Sequence, residues 1–275
     1  MAAVHRAGRL SLLQAAALGA LQGPTELLPV SSSGHLVLVP ALLRWDYVDL
    51  EPELRKSFEV ALHAGTALAL VVGLRREVAE VVRELGRRRI ARHLLELVPA
   101  GAAAFLLERP IEQRLGSPRS AAASQAIGAT LLALADRRAE RRSHADARPL
   151  DGLLIGIAQA GALAPGISRN GATLTAARLL GFERRAASRL SRHAALAIIV
   201  AASCLKGFRL ARRGLPAEIA GPFAAGLVAS FASTLASSRL VRLMDSASSY
   251  APFCAYRLGL AGVAVVVLRR PRVSA

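Results

Sequence analysis

The densest group of reactive side chains lies in residues 19–40, which read GALQGPTELLPVSSSGHLVLVP in a strongly apolar part of the chain. The stretch combines the carboxylate of Glu26, the hydroxyls of residues 31–33 and the imidazole of His35. Pro24 and Pro29, together with three glycines in the stretch, predict an interrupted helix. Polar groups on irregular backbone are tolerated at membrane depth only where they are buried in protein or line a wet cavity. The pattern therefore predicts a ligand site.

A second interrupted stretch, residues 156–180, reads GIAQAGALAPGISRNGATLTAARLL. The dipeptide Pro165-Gly166 breaks it, and polar side chains follow at Ser168, Arg169, Asn170 and Thr173. A helix that begins after such a break presents free N–H groups and a positive dipole end, which favour an anion. The guanidinium of Arg169 adds a planar fork that suits phosphate.

The first stretch offers a different chemistry. Glu26 cannot bind phosphate directly, but it could hold a divalent cation that bridges phosphate oxygens, or act as a base. His35 could be a base, an acid or a nucleophile, and Ser32 could be a nucleophile if His35 activates it.

Purely structural roles are the alternative for each of these residues. Residues 31–33 could only cap a helix, and His35 could only bond to a carbonyl. Arg169 could only neutralise Glu26. A carboxylate, hydroxyls, an imidazole and a guanidinium in two related broken helices together favour a membrane-embedded phosphate or diphosphate site.

The composition predicts a polytopic membrane protein. Of 275 residues, 53% are hydrophobic, and the charges gather in short clusters between apolar runs. A soluble helical protein would instead carry charges along one face of each helix. The apolar runs predict spans at residues 58–74, 94–107, 121–135, 193–205, 215–235 and 251–268.

The net charge of +17 comes almost entirely from arginine, which raises nucleic-acid binding as an alternative. Aromatic residues make up only 4% of the chain, and the arginines lie at the ends of apolar runs. We therefore expect no nucleic-acid partner, and interfacial arginines that face anionic lipid. Residues 75–92 and 136–148 are predicted to be basic loops. Both loops and residues 183–192 fall on one predicted face, which we assign to the cytoplasm.

A weak internal repeat relates the two halves of the chain. At an offset of 137 residues, four matches are Gly19 with Gly156, Gln22 with Gln159, Ser31 with Ser168, and Gly34 with Gly171. Arg75-Arg76 likewise meets Arg212-Arg213, each pair closing an apolar run. The repeat predicts one membrane domain over residues 1–275 with halves of about 1–137 and 138–275.

The expected fold class is all-α. Each half is predicted to contain a broken re-entrant helical hairpin followed by three transmembrane helices. A hairpin that enters and leaves on one side does not change sidedness, whereas three spans do, so the second half must be inverted. The two broken elements can then meet near the midplane.

Three flanking features carry narrower expectations. Residues 44–56 are expected to form a polar loop with Trp45 and Tyr47 at the membrane interface. Glu59 and His63 share a helical face. Either they face the site, or Glu59 lies at the interface and His63 bonds to a neighbouring helix. Arg192 and His193 are expected to be interfacial.

At these residues the chain resembles the bacitracin-resistance type of undecaprenyl-diphosphate phosphatase. The most specific parts of the resemblance are PTELLPVSSSGH at residues 24–35 and PGISRNGAT at residues 165–173, with FEVALHAGTALAL at residues 58–70 as weaker support. The resemblance covers nearly the whole chain. It implies a multi-pass hydrolase of the bacterial plasma membrane that regenerates the lipid carrier of peptidoglycan synthesis. It also implies a divalent cation, Mg²⁺ or Ca²⁺.

Carried over by position, the resemblance implies that Glu26, Ser32, His35 and Arg169 are catalytic and that Glu26 binds the metal. The implied substrate-binding residues are Gln22, Ser31, Ser33, Ser168, Asn170 and Thr173. The family motif has a glutamate where this chain has Gln22, and an amide coordinates a cation more weakly than a carboxylate. The family is also apolar where this chain carries Arg192 and His193, and has a proline in place of Ala197. These departures bear on the level of activity and not on the fold.

The expected partners are a polyprenyl diphosphate lipid and the membrane, with a homodimer left open. The leading hypothesis is hydrolysis of the lipid diphosphate. A transporter or flippase for a polyprenyl phosphate is the alternative, motivated by the inverted repeat and by Gln22, because binding survives a lost carboxylate better than catalysis does. A purely structural membrane protein is the third hypothesis.

Overall fold

The computed structural model of the protein describes residues 9–73, 86–195 and 217–269, with positions 75, 79, 83 and 198. Within these residues the chain is helical and contains no strand, which confirms the all-α prediction. The longer helices are α1 Leu12–Leu27, α2 Ser32–Leu42, α3 Pro52–Gly73, α4 Arg87–Leu115, α5 Pro118–Asp136, α6 Pro149–Gly161, α7 Arg169–Leu179, α8 over residues 184–195, α9 Ala217–Ser237, α10 Leu240–Asp245 and α11 Ala251–Leu268. Short 3₁₀ turns lie at Asp46–Asp49 and His144–Asp146.

Three of the described helices are long and apolar enough to cross a membrane: Arg87–Leu115, Ile219–Ser237 and Ala251–Leu268. Large apolar side chains stay uncovered along them, with Phe105 84% and Val228 62% exposed. Such faces are unfavourable in water and favourable in lipid. The chain is therefore a membrane protein, as its composition predicted.

The remaining predicted spans are helical to the extent that they are described. Helices α3 and α5 cover the spans predicted at residues 58–74 and 121–135, and α8 begins the one predicted at residues 193–205. Most of that last span lies outside the described residues, as does the arginine pair at positions 212–213.

Two predicted loops are shorter than expected. The loop predicted at residues 44–56 ends early because α3 begins at Pro52, where a proline's missing N–H costs nothing. The basic segment predicted to extend to residue 92 is helical from Arg87, because arginine favours a helix and Gly86 serves as its N-cap. Basic residues therefore occupy the first turn of α4 instead of a loop.

Tyr47 is buried, so the prediction that it lies at the interface is wrong. Only 1% of it is exposed, and its ring meets Phe58 edge-on with the centroids 5.9 Å apart. The ring of Phe58 in turn packs on Phe223 of α9 at 5.3 Å. An apolar core between α3, α9 and the 3₁₀ turn takes up the tyrosine because aromatic rings bury large areas.

The first break in the helical backbone lies at residues 28–31 and contains Pro29. Pro24, which was also expected to interrupt the helix, instead lies inside α1. A proline in a helix leaves the carbonyl four residues earlier without its donor. Here the hydroxyl of Ser233 on α9 donates to that carbonyl, on Ala20, so the helix continues.

The second break covers residues 162–168 and contains the predicted Pro165-Gly166. Gly166 has a φ of +103°, which L residues with a side chain rarely adopt. An added Cβ there would also collide with the backbone of α5 at Ala121. Glycine is therefore required at this position for both conformational and steric reasons.

The two breaks end in the same unusual way. Ser31 and Ser168 have positive φ angles of 74° and 69°, which are uncommon for residues other than glycine. Each hydroxyl accepts a hydrogen bond from the backbone N–H three residues on, at 3.2 Å from Gly34 and 3.1 Å from Gly171. Both serines thus cap the helix that follows.

Helices from the two halves of the chain pack on one another in pairs. Helix α1 packs against α9, and α6 packs against α4, while α5 and α11 pack together. Gly19 lies against the backbone of Gly226, and Gly156 lies against the backbone of Glu96, so that neither position has room for a Cβ. Small residues of this kind let membrane helices approach closely.

We predict that Gly19→Val destabilises the protein by about 1–3 kcal/mol, because the new side chain overpacks the contact with α9. The thermal midpoint of the detergent-solubilised protein measures the effect. Gly259→Val is the matched control, since an added Cβ at Gly259 has no neighbour within 4 Å. Equal midpoints for the two variants would contradict the close α1–α9 packing.

Candidate functional site

A buried arginine joins the two breaks. Arg257 on α11 has no exposed surface. Its Nη1 donates to the carbonyl of Pro29 at 3.4 Å, in the first break. Its Nη2 donates to the carbonyls of Gly166 at 2.9 Å and Ile167 at 2.8 Å, in the second break. Carbonyls freed by the breaks are thereby satisfied away from water.

Gln125 on α5 completes this brace. Its Oε1 accepts from Arg257 Nε at 2.9 Å, and its Nε2 donates to the carbonyl of Val30 at 2.9 Å. Sequence analysis missed both residues, although an arginine inside the apolar run 251–268 is itself a signal. An ionisable residue within a membrane span is rare and commonly functional.

The brace brings Glu26 and Arg169 together. Glu26 lies in the last turn of α1, and Arg169 is the first residue of α7. Arg169 Nη2 donates to Glu26 Oε1 at 2.8 Å, with only 6% of the carboxylate side chain and 17% of the arginine side chain exposed. A buried charge of this kind is tolerated because its partner is in direct contact.

The second carboxylate oxygen of Glu26 accepts from two further residues. Ser32 Oγ donates to Glu26 Oε2 at 2.6 Å, and Gln22 Nε2 donates to the same oxygen at 3.3 Å. The short contact from the hydroxyl is typical of a charge-assisted hydrogen bond. Residues predicted from the first stretch thus surround Glu26.

Glu59 and His63 share one face of α3, but their side chains contact different partners. His63 Nδ1 lies 3.2 Å from Gln22 Nε2 and 3.8 Å from Glu26 Oε2, so this imidazole faces the site. Glu59 pairs with Lys56 at 3.9 Å near the start of the helix. The first alternative, a position facing the site, therefore holds for His63 and not for Glu59.

His35 does not contact Ser32. Its Nδ1 lies 2.7 Å from the carbonyl of Ser31, and its Nε2 lies 2.7 Å from the hydroxyl of Tyr256, whose ring stacks on the imidazole. Because a carbonyl can only accept, Nδ1 carries the proton and Nε2 accepts from Tyr256. Both ring nitrogens are occupied, so the expected activation of Ser32 by His35 is not formed in this arrangement.

The polar residues of α7 are held by its neighbours. Asn170 Nδ2 donates to the carbonyl of Leu27 at 2.9 Å, and its Oδ1 accepts from Ser191 on α8 at 2.7 Å. Thr173 is fully buried, with its hydroxyl 2.6 Å from Ser191 Oγ. Ser191, which sequence analysis missed, therefore ties α8 to both.

The predicted serines take structural positions. Ser31 and Ser168 cap their helices, and Ser33 Oγ lies 3.3 Å from Ser31 Oγ. Of the predicted residues, Glu26, Arg169 and Asn170 line the pocket between the breaks and α8.

This pocket is narrow and strongly polar on one wall. Its free volume is about 30 Å³, and its polar lining is Glu26, Arg169, Asn170, Ser188, Ser191 and Arg192. Leu70 and Met244 are among its apolar walls. The Arg169 Nη1 group is buried there without a hydrogen-bond partner. A buried guanidinium N–H without an acceptor indicates a place for an anion.

The prediction that Arg192 and His193 are interfacial is wrong. Arg192 lines the pocket and pairs with Asp245 at 2.7 Å. His193 is only 7% exposed and packs against the ring of His144 at 5.5 Å. The reason is that both residues find protein partners, Arg192 in the pocket and His193 on the ring of His144.

Arg142 anchors the loop that connects α5 and α6. Arg142 donates to Asp151 at 2.6 Å and stacks on the ring of Phe182 at 4.1 Å. The hydrogen bond from this arginine to the Asp151 carboxylate raises the pKa of Arg142 above its usual value. Through Arg142, the loop between α5 and α6 contacts both the start of α6, at Asp151, and the turn after α7, at Phe182.

The donors around Glu26 fit a divalent cation only in part. In the described portion of the chain, no three His, Cys, Asp or Glu residues are grouped so as to hold a metal. Gln22 Oε1, however, is a buried oxygen without a hydrogen-bond partner beside Glu26. An amide oxygen and one carboxylate suit Mg²⁺ or Ca²⁺ when substrate phosphate and water supply the other ligands.

The chain is similar to known proteins over a range that includes both helix breaks. The family model described as bacitracin resistance protein BacA matches residues 15–263. The undecaprenyl-diphosphatase of Geobacter sulfurreducens is 43% identical over 271 residues, which is 94% of this chain and 98% of the relative. The undecaprenyl-diphosphatase of Pelobacter propionicus is 40% identical over 94% of this chain and 97% of its own length. That of Chromohalobacter salexigens is 37% identical over 93% and 98%.

We predict that Arg257→Met lowers the free energy of unfolding by about 2–5 kcal/mol, because buried carbonyls in both breaks lose their donor. Thermal unfolding in detergent measures this loss. Arg269→Met, at the exposed end of the same helix, is the control and should unfold like the parent. An unchanged midpoint for Arg257→Met would show that the brace is not needed.

Proposed function

The chain belongs to the bacitracin-resistance BacA family, and we propose that it removes the terminal phosphate of undecaprenyl diphosphate, leaving undecaprenyl phosphate. The observation that carries this proposal is the meeting of Glu26 and Arg169 in one buried pocket, with Arg169 Nη1 still lacking an acceptor. Relatives that match almost the whole chain bear the name undecaprenyl-diphosphatase, which supports the same reaction. The protein is thus a membrane hydrolase with a lipid substrate, in a family tied to bacitracin resistance.

Binding begins with an exchange of partners at Arg169. The pocket has room for about one water molecule while Arg169 bonds to Glu26, so a phosphate enters only when the guanidinium turns toward it. The phosphate oxygens then replace the carboxylate oxygen as acceptors. Glu26 is left beside the reacting group, and its bond from Ser32 remains.

The attack on phosphorus needs a base, and Glu26 is the group in position for it. A water, or the hydroxyl of Ser32, forms a bond to the terminal phosphorus as the bridging P–O bond breaks. The proton of the nucleophile passes to Glu26, and undecaprenyl phosphate leaves. If Ser32 attacks first, water hydrolyses its phosphate ester in a second step. Arg169 stabilises the negative charge on the transferred group.

His35 acts through position in this proposal. Its Nδ1–H donates to the carbonyl of Ser31, the residue before Ser32, and Tyr256 holds the other side of the ring. The imidazole therefore fixes the first turn of α2 and with it the direction of the Ser32 hydroxyl.

A divalent cation, Mg²⁺ or Ca²⁺, is part of the proposal. Glu26 and the unpartnered Oε1 of Gln22 would hold it, together with phosphate oxygens of the substrate. When bound, the cation neutralises negative charge on those oxygens.

We also propose an inverted repeat in which both broken elements are re-entrant. Equivalent serine caps with positive φ at Ser31 and Ser168 support it, as does the reciprocal packing of α1 on α9 and α6 on α4. The bacterial plasma membrane is the proposed location, with the loop at residues 136–148 and the first residues of α8 on the cytoplasmic side. A homodimer is a further proposal, supported by the exposed apolar faces that two copies can share in lipid.

We predict that the purified protein releases phosphate from undecaprenyl diphosphate in the presence of Mg²⁺ or Ca²⁺. Arg169→Ala and Glu26→Ala should each lower kcat/KM by about 10²–10³-fold, because each removes a group that stabilises the transition state. Arg242→Ala, an exposed arginine on α10, serves as the charge-matched control. Absence of phosphate release in both metals, alongside an active reference phosphatase, would overturn the proposal. Transbilayer movement of labelled lipid without hydrolysis would favour a transporter instead.

We predict that Gln22→Glu lowers the Mg²⁺ concentration needed for half-maximal activity, because a second carboxylate then faces the cation beside Glu26. Titration of phosphate release with Mg²⁺ provides the measurement. Gln14→Glu makes the same chemical change in the first turn of α1, away from Glu26, and should leave the titration unaltered. Identical Mg²⁺ curves for Gln22→Glu and the parent would argue against Gln22 as a ligand.

A further inference from the structure

A second guanidinium faces the pocket that holds Glu26 and Arg169. Ser188, Ser191, Arg192 and Ala195 recur at the spacing of one helical face on α8, and all of them line the pocket. The side chain of Arg192 is only 14% exposed. This arginine therefore belongs to the site and not to the membrane surface.

Arg192 is held in place from behind. Its Nη1 donates to Asp245 Oδ1 on α10 at 2.7 Å and to Ser188 Oγ at 3.2 Å. Ser188 Oγ donates to the same aspartate oxygen at 2.8 Å. A side chain oriented before the ligand arrives loses less conformational entropy on binding. The arrangement is thus one of a pre-positioned binding group.

Two guanidiniums line the pocket, those of Arg169 and Arg192. Glu26 pairs with the first, and Asp245 pairs with the second. The Nη1 group of Arg169 still lacks an acceptor, which indicates that an anion is missing from the site. Two guanidinium forks, together with the amide of Asn170 and the hydroxyl of Ser191 in the same lining, suit a ligand with two phosphoryl groups.

We propose that Arg192 is a substrate-binding residue that works with Arg169 as a clamp on the two phosphoryl groups of a prenyl diphosphate. This inference rests on the proposed function. It adds a physical reason for why the enzyme would prefer a diphosphate to a monophosphate. A diphosphate engages both guanidiniums, whereas a monophosphate engages one, so Arg192 makes the site prefer substrate over product. The product then leaves more readily than the substrate.

The test compares Arg192→Ala and Arg192→Lys with the parent in phosphate release from undecaprenyl diphosphate. Removal of a charged hydrogen bond to phosphate should raise KM by about 10- to 100-fold and change kcat much less. Arg192→Lys should lie in between, because lysine keeps the charge and loses the fork. Arg242→Ala removes an exposed arginine on the same side of the molecule and should keep the parental KM.

The inhibition constants of inorganic diphosphate and inorganic phosphate test the clamp directly, because only diphosphate can contact both arginines at once. The parent should bind diphosphate more tightly than phosphate, and Arg192→Ala should reduce the ratio of the two inhibition constants by about tenfold or more. An unchanged ratio and an unchanged KM in a folded Arg192→Ala protein would overturn the clamp while leaving the hydrolase intact. If the parent shows no hydrolysis, the proposed function fails instead, and equilibrium dialysis with labelled diphosphate tests the clamp alone.

Asp245→Asn separates substrate binding from a merely structural ion pair. It removes the charge partner of Arg192 and leaves the guanidinium in the pocket. A clamp predicts that this variant keeps KM within about threefold of the parent, because the amide oxygen of asparagine still accepts from Arg192 and keeps it oriented. If Arg192 only ties α8 to α10, Asp245→Asn and Arg192→Ala should have equal effects, and that result would overturn the inference. If Arg192→Ala fails to fold, Arg192→Lys replaces it in the inhibition experiment. A ratio of the diphosphate and phosphate inhibition constants equal to that of the parent would then contradict the clamp.

Discussion

Inside a membrane, backbone groups released at a helix break have no water to bond with, and the whole site depends on how they are satisfied. Here one side chain, Arg257, donates to the carbonyls of Pro29, Gly166 and Ile167, which belong to both breaks. Because the same guanidinium donates hydrogen bonds to both breaks, the two breaks cannot move apart without losing buried hydrogen bonds. The relative position of α1 and α7, and so of the residues that they carry, follows from this constraint.

The pair between Glu26 and Arg169 is then both a stabilising contact and a closed state of the site. Each buried charge would be costly alone, and each neutralises the other at 2.8 Å. A phosphate can take over the role of the carboxylate for Arg169, since both are anionic oxygen acceptors. In the proposed mechanism the same exchange frees Glu26 to accept a proton, so that binding of the substrate and activation of the nucleophile are linked.

Two departures from the family pattern lie at the site. Gln22 places a neutral amide next to Glu26, and Arg192 places a guanidinium in the pocket lining, where Asp245 pairs with it. The proposed cation site uses the first of these residues, and the proposed clamp uses the second.

The sequence alone determined what depends on local backbone and on residue type. Pro29 and Pro165-Gly166 located both breaks, since proline lacks a donor and Gly166 adopts a positive φ. The apolar runs identified the membrane class, and the family motifs pointed to Glu26, Ser32 and Arg169. Pro24 was wrongly predicted to interrupt the helix. The carbonyl of Ala20, which Pro24 leaves without a donor, accepts a hydrogen bond from Ser233, a residue more than two hundred positions away in the chain.

Only the tertiary structure decided which of these residues meet. Glu26 and Arg169 are 143 residues apart, and His35 turns to Tyr256, which is 221 residues away, and not to Ser32. The inward direction of Arg192 depends on the packing of α8 against α7 and α10. Such contacts are set by how helices fit together in three dimensions, so no local pattern along the chain contains them.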